Sequence, residues 1–134
     1  MTVALDSSGL LARYLGGPAG EVARAAMAAD PVWCASALAL TEALMVVDQL
    51  DADPTERDDL RRALRDDWER IHVVPLDGRC LGRAAELGRT QPVRSVHALH
   101  LAAADRLPRP VTFLTFDPDQ IPVALALGFD VTST

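Results

Sequence analysis

The fold is decided by the stretch Val3–Leu11, VALDSSGLL, in which a short apolar run ends at an acid. Val3-Ala4-Leu5 has the length and the apolar character of a buried strand. Asp6 stands where that strand ends, and Leu10 and Leu11 open a helical repeat of apolar residues. A buried strand that leads directly into a helix is typical of α/β proteins.

The same alternation continues along the rest of the chain. Further strands are predicted at residues 32–35, 71–76, 111–115 and 129–132. Helices are predicted over 10–15, 20–29, from a cap at Ser36 through Glu42, and over 53–70, 77–89, 95–106 and 120–127. Asp53 and Asp77 are predicted to cap the starts of two of these helices, and Gly128 is predicted to cap the end of the last. We therefore predict one α/β domain, residues 1–134, with a mostly parallel sheet and helices on both faces.

Composition limits the class of protein. With 134 residues, 49% of them apolar, the chain can bury a real core. No apolar run reaches the length of a membrane span, and no basic region precedes the first strand. We therefore expect a cytoplasmic protein without a signal peptide, in which Cys34 and Cys80 stay reduced.

The charge balance limits the chemistry. The net charge of −6 argues against a protein that coats nucleic acid, although a local basic rim such as the arginine row of residues 61–70 could still contact RNA. A solvated helix face is the plainer interpretation of that row. The basic residues are all arginine, so a catalytic lysine is excluded.

Three acids far apart in sequence carry the functional prediction. Asp6 and Asp117 each follow an apolar strand, and ligands of parallel sheets gather beyond the carboxyl ends of the strands. Glu42 lies in the otherwise almost uncharged helical run 37–47, where a buried carboxylate needs a partner. Clustered carboxylates repel one another, and a hard cation such as Mg²⁺ or Mn²⁺ neutralises them. Such a site can cleave a phosphodiester.

Each acid also has a plainer interpretation. Asp6 could be a simple helix cap, and Asp117 could be a turn residue before Pro118. Glu42 could belong to an exposed polar stripe. The three acids taken together favour a shared site over these separate explanations.

Other polar residues near the acids are candidates for substrate or metal binding. Ser8 and Thr115 could hold substrate phosphate, and Arg94 could anchor it, although capping, a strand edge and a surface position explain them equally well. His97 and His100 are three residues apart on one helix and could bind a transition metal. For His100 we favour a packed polar position.

Four motifs stand in a fixed order along the chain: Leu5–Leu11 with its first acid, Ser36–Glu42 with a helix-borne glutamate, Arg94–Ala102, and Phe113–Asp117 followed by Gly128–Val131. In order and spacing they resemble the motifs of PIN-domain proteins, and most closely those of the VapC toxins of bacterial toxin–antitoxin pairs. The resemblance covers the whole chain. It implies a three-layer α/β/α domain.

The resemblance also implies an activity and partners. Family members are metal-dependent ribonucleases, usually homodimers, and an antitoxin whose tail enters the acidic cleft holds them inactive. We expect that tail to carry an arginine toward Asp6 and Asp117, because arginine suits bidentate contact with carboxylates. Asp6, Glu42 and Asp117 would then be catalytic metal ligands for Mg²⁺ or Mn²⁺. His97 occupies the third acid's position, where a nitrogen ligand suits Mn²⁺ or Zn²⁺ better than Mg²⁺.

Two functions therefore compete. The first is a metal-dependent endoribonuclease toxin that cleaves RNA and is neutralised by a VapB-like antitoxin. The second is a catalytically impaired PIN domain that only binds RNA or the antitoxin, because His97 replaces an acid. A phosphoacceptor signalling domain is the least favoured alternative. It needs an acidic pair after the first strand and a late lysine, whereas here a single aspartate follows that strand and the chain has no lysine.

Overall fold

The computed structural model describes all 134 residues. Its strands are β1 Thr2–Leu5, β2 Val32–Ser36, β3 His72–Val74, β4 Val111–Leu114 and β5 Asp130–Thr132. Its helices are α1 Ser7–Ala12, α2 Gly17–Ala29, α3 Ala39–Val47, α4 Pro54–Trp68, α5 Gly78–Thr90, α6 Ser95–Asp105 and α7 Ile121–Ala126.

The five strands form one sheet in the order β3-β2-β1-β4-β5, and every neighbouring pair is parallel. The predicted α/β class is therefore confirmed. In the register of the central strand, Leu5 lies beside Ala35 of β2 and Leu114 of β4. The carboxyl ends of these three strands consequently meet at one edge of the sheet, which we call the carboxyl edge.

Apolar residues cover the sheet on both faces. Val3 and Leu5 of β1 lie in a core cluster with residues of α1 to α4, whereas Ala4 lies in a second cluster with residues of α5, α6 and α7. Successive side chains of a strand point to opposite faces, so a strand buried on both sides reads as a continuous apolar run. The predicted three-layer α/β/α arrangement is confirmed.

Three helix ends lie at predicted capping residues. Asp53 and Asp77 cap α4 and α5 through backbone N–H groups three residues on. Gly128, with φ of 86°, follows α7 in the left-handed conformation that favours glycine. The prediction for Ser36 was wrong, because Ser36 is the last residue of β2 and Leu38 stands at the N-cap of α3.

A close approach of α1 to β4 shapes the carboxyl edge. A Cβ atom at Gly9 would lie 2.3 Å from the carbonyl oxygen of Leu114, which no side chain tolerates. Glycine therefore lets the first turn of α1 rest directly on the end of β4. This contact brings residues that follow β1 within hydrogen-bonding distance of residues that follow β4.

None of the helices combines the length and the hydropathy needed to span a bilayer. Cys34 and Cys80 are both buried and unpaired. Burial raises the pKa of both thiols, which keeps them protonated and unreactive.

Candidate functional site

Asp6 lies at the centre of the carboxyl edge and is almost completely buried, with 1% of the residue exposed. One carboxylate oxygen, Oδ1, accepts hydrogen bonds from the Ser8 hydroxyl and the Gly9 backbone N–H, each at 2.7 Å. The other, Oδ2, accepts from Thr115 Oγ1 at 2.5 Å and from Gln120 Nε2 at 2.7 Å. Asp6 is thus both the predicted N-cap of α1 and the hub of a hydrogen-bond network.

Ser8 and Thr115 join the ends of β1 and β4 around that hub. Ser8 Oγ also accepts from the backbone N–H of Phe116 at 2.9 Å, and Thr115 Oγ1 accepts from that of Asp117 at 3.1 Å. Thr115 is fully buried. Its hydroxyl therefore positions Asp6 in this structure and is not free for the predicted contact with substrate.

Glu42 does not belong to an exposed polar stripe. Its Oε1 pairs with His100 Nε2, and the Glu42 side chain keeps 28% exposure. On the far side of the imidazole, His100 Nδ1 lies 2.9 Å from Ser36 Oγ, which in turn accepts from the Leu38 N–H at 3.3 Å. Whether Ser36 Oγ donates to Nδ1 or accepts from it, Nε2 carries the N–H that faces Glu42. Ser36 and His100 therefore fix the position of Glu42.

This environment changes the acidity of Glu42. Burial alone raises the pKa of its carboxyl, but the hydrogen bond and the charge of His100, a hydrogen bond from Ser7 and the charge of His97 together lower the pKa below its usual range. The carboxylate form is thereby stabilised.

His97 pairs directly with the last acid. His97 Nε2 lies 2.7 Å from Asp117 Oδ2, and the two side chains are 19% and 27% exposed. Asp117 Oδ1 accepts from the backbone N–H of Asp119 at 3.0 Å, so the turn interpretation of Asp117 also holds. The Nδ1 atom of His97 is buried without a partner. Where a third acid was expected, the chain thus supplies a hydrogen-bond donor to an acid.

Sequence reasoning missed two contributors to the site. His100 occupies the packed polar position that we favour for it, but the sequence does not predict its contact with Glu42; the only signal is its spacing of three residues from His97. Gln120 was interpreted only as a helix start, yet it is buried and bound to Asp6. Arg94 is exposed at the start of α6, and its side chain makes no capping hydrogen bond.

Acids thus follow β1 and β4 and lie on α3, on a parallel sheet with β1 at its centre. The sequence matches the PIN domain family over residues 3–125. The chain belongs to the PIN domain family. No curated protein sequence matches this PIN domain.

Solved structures similar to this PIN domain come from toxin–antitoxin complexes. VapBC2 from Rickettsia felis, solved with a promoter DNA fragment, is 13% identical over 98% of both chains, with a TM-score of 0.70. VapBC-5 from Mycobacterium tuberculosis is 17% identical over 99% of this chain and 98% of the other, with a TM-score of 0.67. FitAcB from Neisseria gonorrhoeae is 17% identical over 98% and 96%, with a TM-score of 0.69. At these identities the likeness supports the fold.

PIN domains are generally nucleases that use divalent cations, so the donor groups of this PIN domain can be tested against that requirement. No group of three His, Cys, Asp or Glu side chains lies close enough to hold one ion. Both oxygens of Asp6 accept two hydrogen bonds each, and Glu42 and Asp117 are each paired with a histidine. The predicted shared coordination sphere is therefore not formed here, and the groups as arranged do not fit a preformed metal centre.

The lowered pKa of Glu42 predicts an acid-dependent loss of stability. A carboxyl whose folded pKa lies below its unfolded value contributes stability that is fully present above the unfolded pKa. That contribution is lost as the pH falls from the ordinary value of 4.5 through the folded pKa. Thermal unfolding of the protein and of Glu42→Gln across this range should show the two stabilities converging in acid. Glu21→Gln, on the exposed face of α2, is the control, and its melting temperature should follow that of the unchanged protein at every pH. If Glu42→Gln follows the unchanged protein in the same way, the pairing of Glu42 with His100 does not stabilise the fold.

Proposed function

We propose that this protein is a VapC-like toxin, an endoribonuclease that cleaves RNA phosphodiesters at the carboxyl edge and is neutralised by a cognate antitoxin. The observation that carries the proposal is that the residues after β1 and β4, Asp6 and Asp117, are joined by hydrogen bonds through Ser8 and Thr115. Glu42 pairs with His100 of α6, the helix whose His97 pairs with Asp117. Family membership and the toxin–antitoxin neighbours support the same function.

The same proposal includes Mg²⁺ or Mn²⁺ as cofactor, with Asp6, Glu42 and Asp117 as its ligands. Because His97 occupies an oxygen of Asp117, this histidine must leave Asp117 before the carboxylate is free. Mn²⁺ tolerates an imidazole ligand better than Mg²⁺ does, so Mn²⁺ is the preferred cation in this proposal. Arg94, exposed beside His97 at the start of α6, is proposed to meet the RNA phosphate.

One observation favours the second candidate, a PIN domain that binds RNA or antitoxin without cleaving. Asp6 and Asp117 already have partners inside the protein, since His97 Nε2 lies 2.7 Å from Asp117 and four donors surround Asp6. Incubation of the purified protein with RNA in Mn²⁺, and in parallel with a chelator, separates the two. If the protein is a nuclease toxin, RNA is cleaved in Mn²⁺ and the chelator stops the cleavage. Intact RNA in both reactions would support the second candidate, a PIN domain that binds without cleaving.

The proposed antitoxin should reach the rim of the site and not its centre. The sequence suggested an arginine directed at Asp6 and Asp117, but Asp6 is buried, so Glu42 and Asp117 are the acids within reach. Co-expression with the neighbouring reading frame should yield a stable complex. Asp117→Asn should weaken it about tenfold, ~1.4 kcal/mol, because a charged pair is lost. Asp119→Asn, an exposed neighbour, is the control, and equal effects of both variants would argue against this contact.

We also propose a homodimer, as the family resemblance implies. Met45 and Val46 of α3 and Leu81 of α5 are large apolar side chains exposed by 59%, 42% and 50%, which favours burial against a second copy. Light scattering of the free protein at tens of micromolar should give twice the chain mass of 14.4 kDa. A single-chain mass at that concentration would refute the dimer.

A further inference from the structure

Gln120 has a buried side-chain amide in which only one of the two polar atoms has a hydrogen-bond partner. It follows Asp117 by three residues, at the start of α7, and only 1% of it is exposed. Its Nε2 donates to Asp6 Oδ2 at 2.7 Å, while its Oε1 has no partner. The opposite amide orientation would place Oε1 against a carboxylate oxygen, so the orientation with Nε2 toward Asp6 is the chemically sound one.

An unpaired buried carbonyl is unfavourable, and a leucine would fill this position without one. The amide must therefore contribute at Asp6 something that an apolar side chain could not. A carboxylate offers about four lone-pair sites. With Gln120 in place, each of the two oxygens of Asp6 accepts two hydrogen bonds, and no site remains for a cation.

Gln120 differs from the other three donors in its freedom to leave. The Gly9 donor is backbone within α1, and the hydroxyls of Ser8 and Thr115 are held by backbone N–H groups of β4's extension. Gln120 makes no other side-chain hydrogen bond. It is therefore the donor whose removal opens Asp6 Oδ2 while leaving the surrounding backbone contacts in place.

We propose that Gln120 is a positioning residue that holds Asp6 inward and so weakens the binding of a divalent cation at the acidic site. The inference rests on the proposed function, because the cation site is the one proposed there. It adds a residue outside the predicted ligands and assigns it a negative effect on cation affinity. His97 limits access to Asp117, and Gln120 limits access to Asp6.

Isothermal titration with Mn²⁺ alone tests the proposal. Gln120→Leu should bind Mn²⁺ at least about tenfold more tightly than the unchanged protein, since a hydrogen bond to a charged group no longer competes with the cation. Gln49→Leu, an exposed glutamine after α3, is the matched control and should bind like the unchanged protein.

A second variant guards against misfolding of the first. Gln120→Glu places a carboxylate against Asp6, and two such groups cannot both ionise without a cation between them. Mn²⁺ should therefore raise the melting temperature of Gln120→Glu more than that of the unchanged protein. A merely structural role for Gln120 would not produce this cation-dependent gain.

Equal or weaker Mn²⁺ binding by Gln120→Leu, or no binding by any variant, would overturn the proposal; weaker binding would indicate that the amide oxygen is itself a ligand. A different result, the absence of RNA cleavage, would refute the proposed function. A Gln120→Leu protein that binds Mn²⁺ more tightly but cleaves no RNA would therefore refute the nuclease and leave the role of Gln120 intact.

Discussion

Asp6→Ala should abolish ribonuclease activity and lower the free energy of unfolding by several kcal/mol, at about 1–3 kcal/mol for a buried donor left without its acceptor. The reason is the number of donors that would lose their acceptor. The hydroxyls of Ser8 and Thr115, the Gly9 N–H and the Gln120 amide all donate to this carboxylate. Buried donors without an acceptor are costly, and a total stability of about 5–15 kcal/mol leaves little reserve.

A matched control separates this network from ordinary helix capping. Asp53 also caps a helix, α4, by accepting from the backbone N–H of Glu56 at 2.8 Å, but it is exposed. Asp53→Ala should therefore cost only about 1 kcal/mol. Urea denaturation of both variants gives the comparison. Similar losses for Asp6→Ala and Asp53→Ala would mean that the contacts from β4 and α7 to Asp6 contribute nothing.

The sequence predicted the parts of this molecule that depend on local pattern. The apolar run before Asp6 predicted a buried strand, and Asp53, Asp77 and Gly128 predicted helix ends, because strand burial and capping involve residues close in sequence. It also predicted that acids after strands would meet at one sheet edge, since parallel strands share that edge.

The hydrogen-bond partners of the acids could not be predicted in the same way. Glu42 and His100 are 58 residues apart, and Asp6 and Gln120 are 114 apart. No local periodicity links such pairs, and their contact depends on how α3, α6 and α7 pack around the sheet. The error at Ser36 has the same origin, because a serine before a helix resembles a cap unless the histidine that it contacts is known.

His97→Asp should increase Mg²⁺-dependent RNA cleavage. The change removes the imidazole that lies 2.7 Å from Asp117 and returns an oxygen ligand to the third acid's position. Mg²⁺ demands oxygen ligands in octahedral geometry, so it should gain most. We expect a ten- to hundredfold gain in Mg²⁺ affinity, about 1.4–2.8 kcal/mol. His72→Asp, on the exposed edge strand β3, is the control and should leave the Mg²⁺ dependence unchanged.

The most direct test of the central claim, that the carboxyl edge is a nuclease site restrained by His97, is a Mg²⁺ titration of RNA cleavage. It compares the unchanged protein, His97→Asp, and His97→Asp combined with Asp6→Asn, which keeps the size of the side chain. The predicted result is cleavage by His97→Asp at Mg²⁺ concentrations at least about tenfold lower than for the unchanged protein, and none by the double variant. Cleavage by His97→Asp that is weaker than that of the unchanged protein, or cleavage that survives Asp6→Asn, would contradict the account.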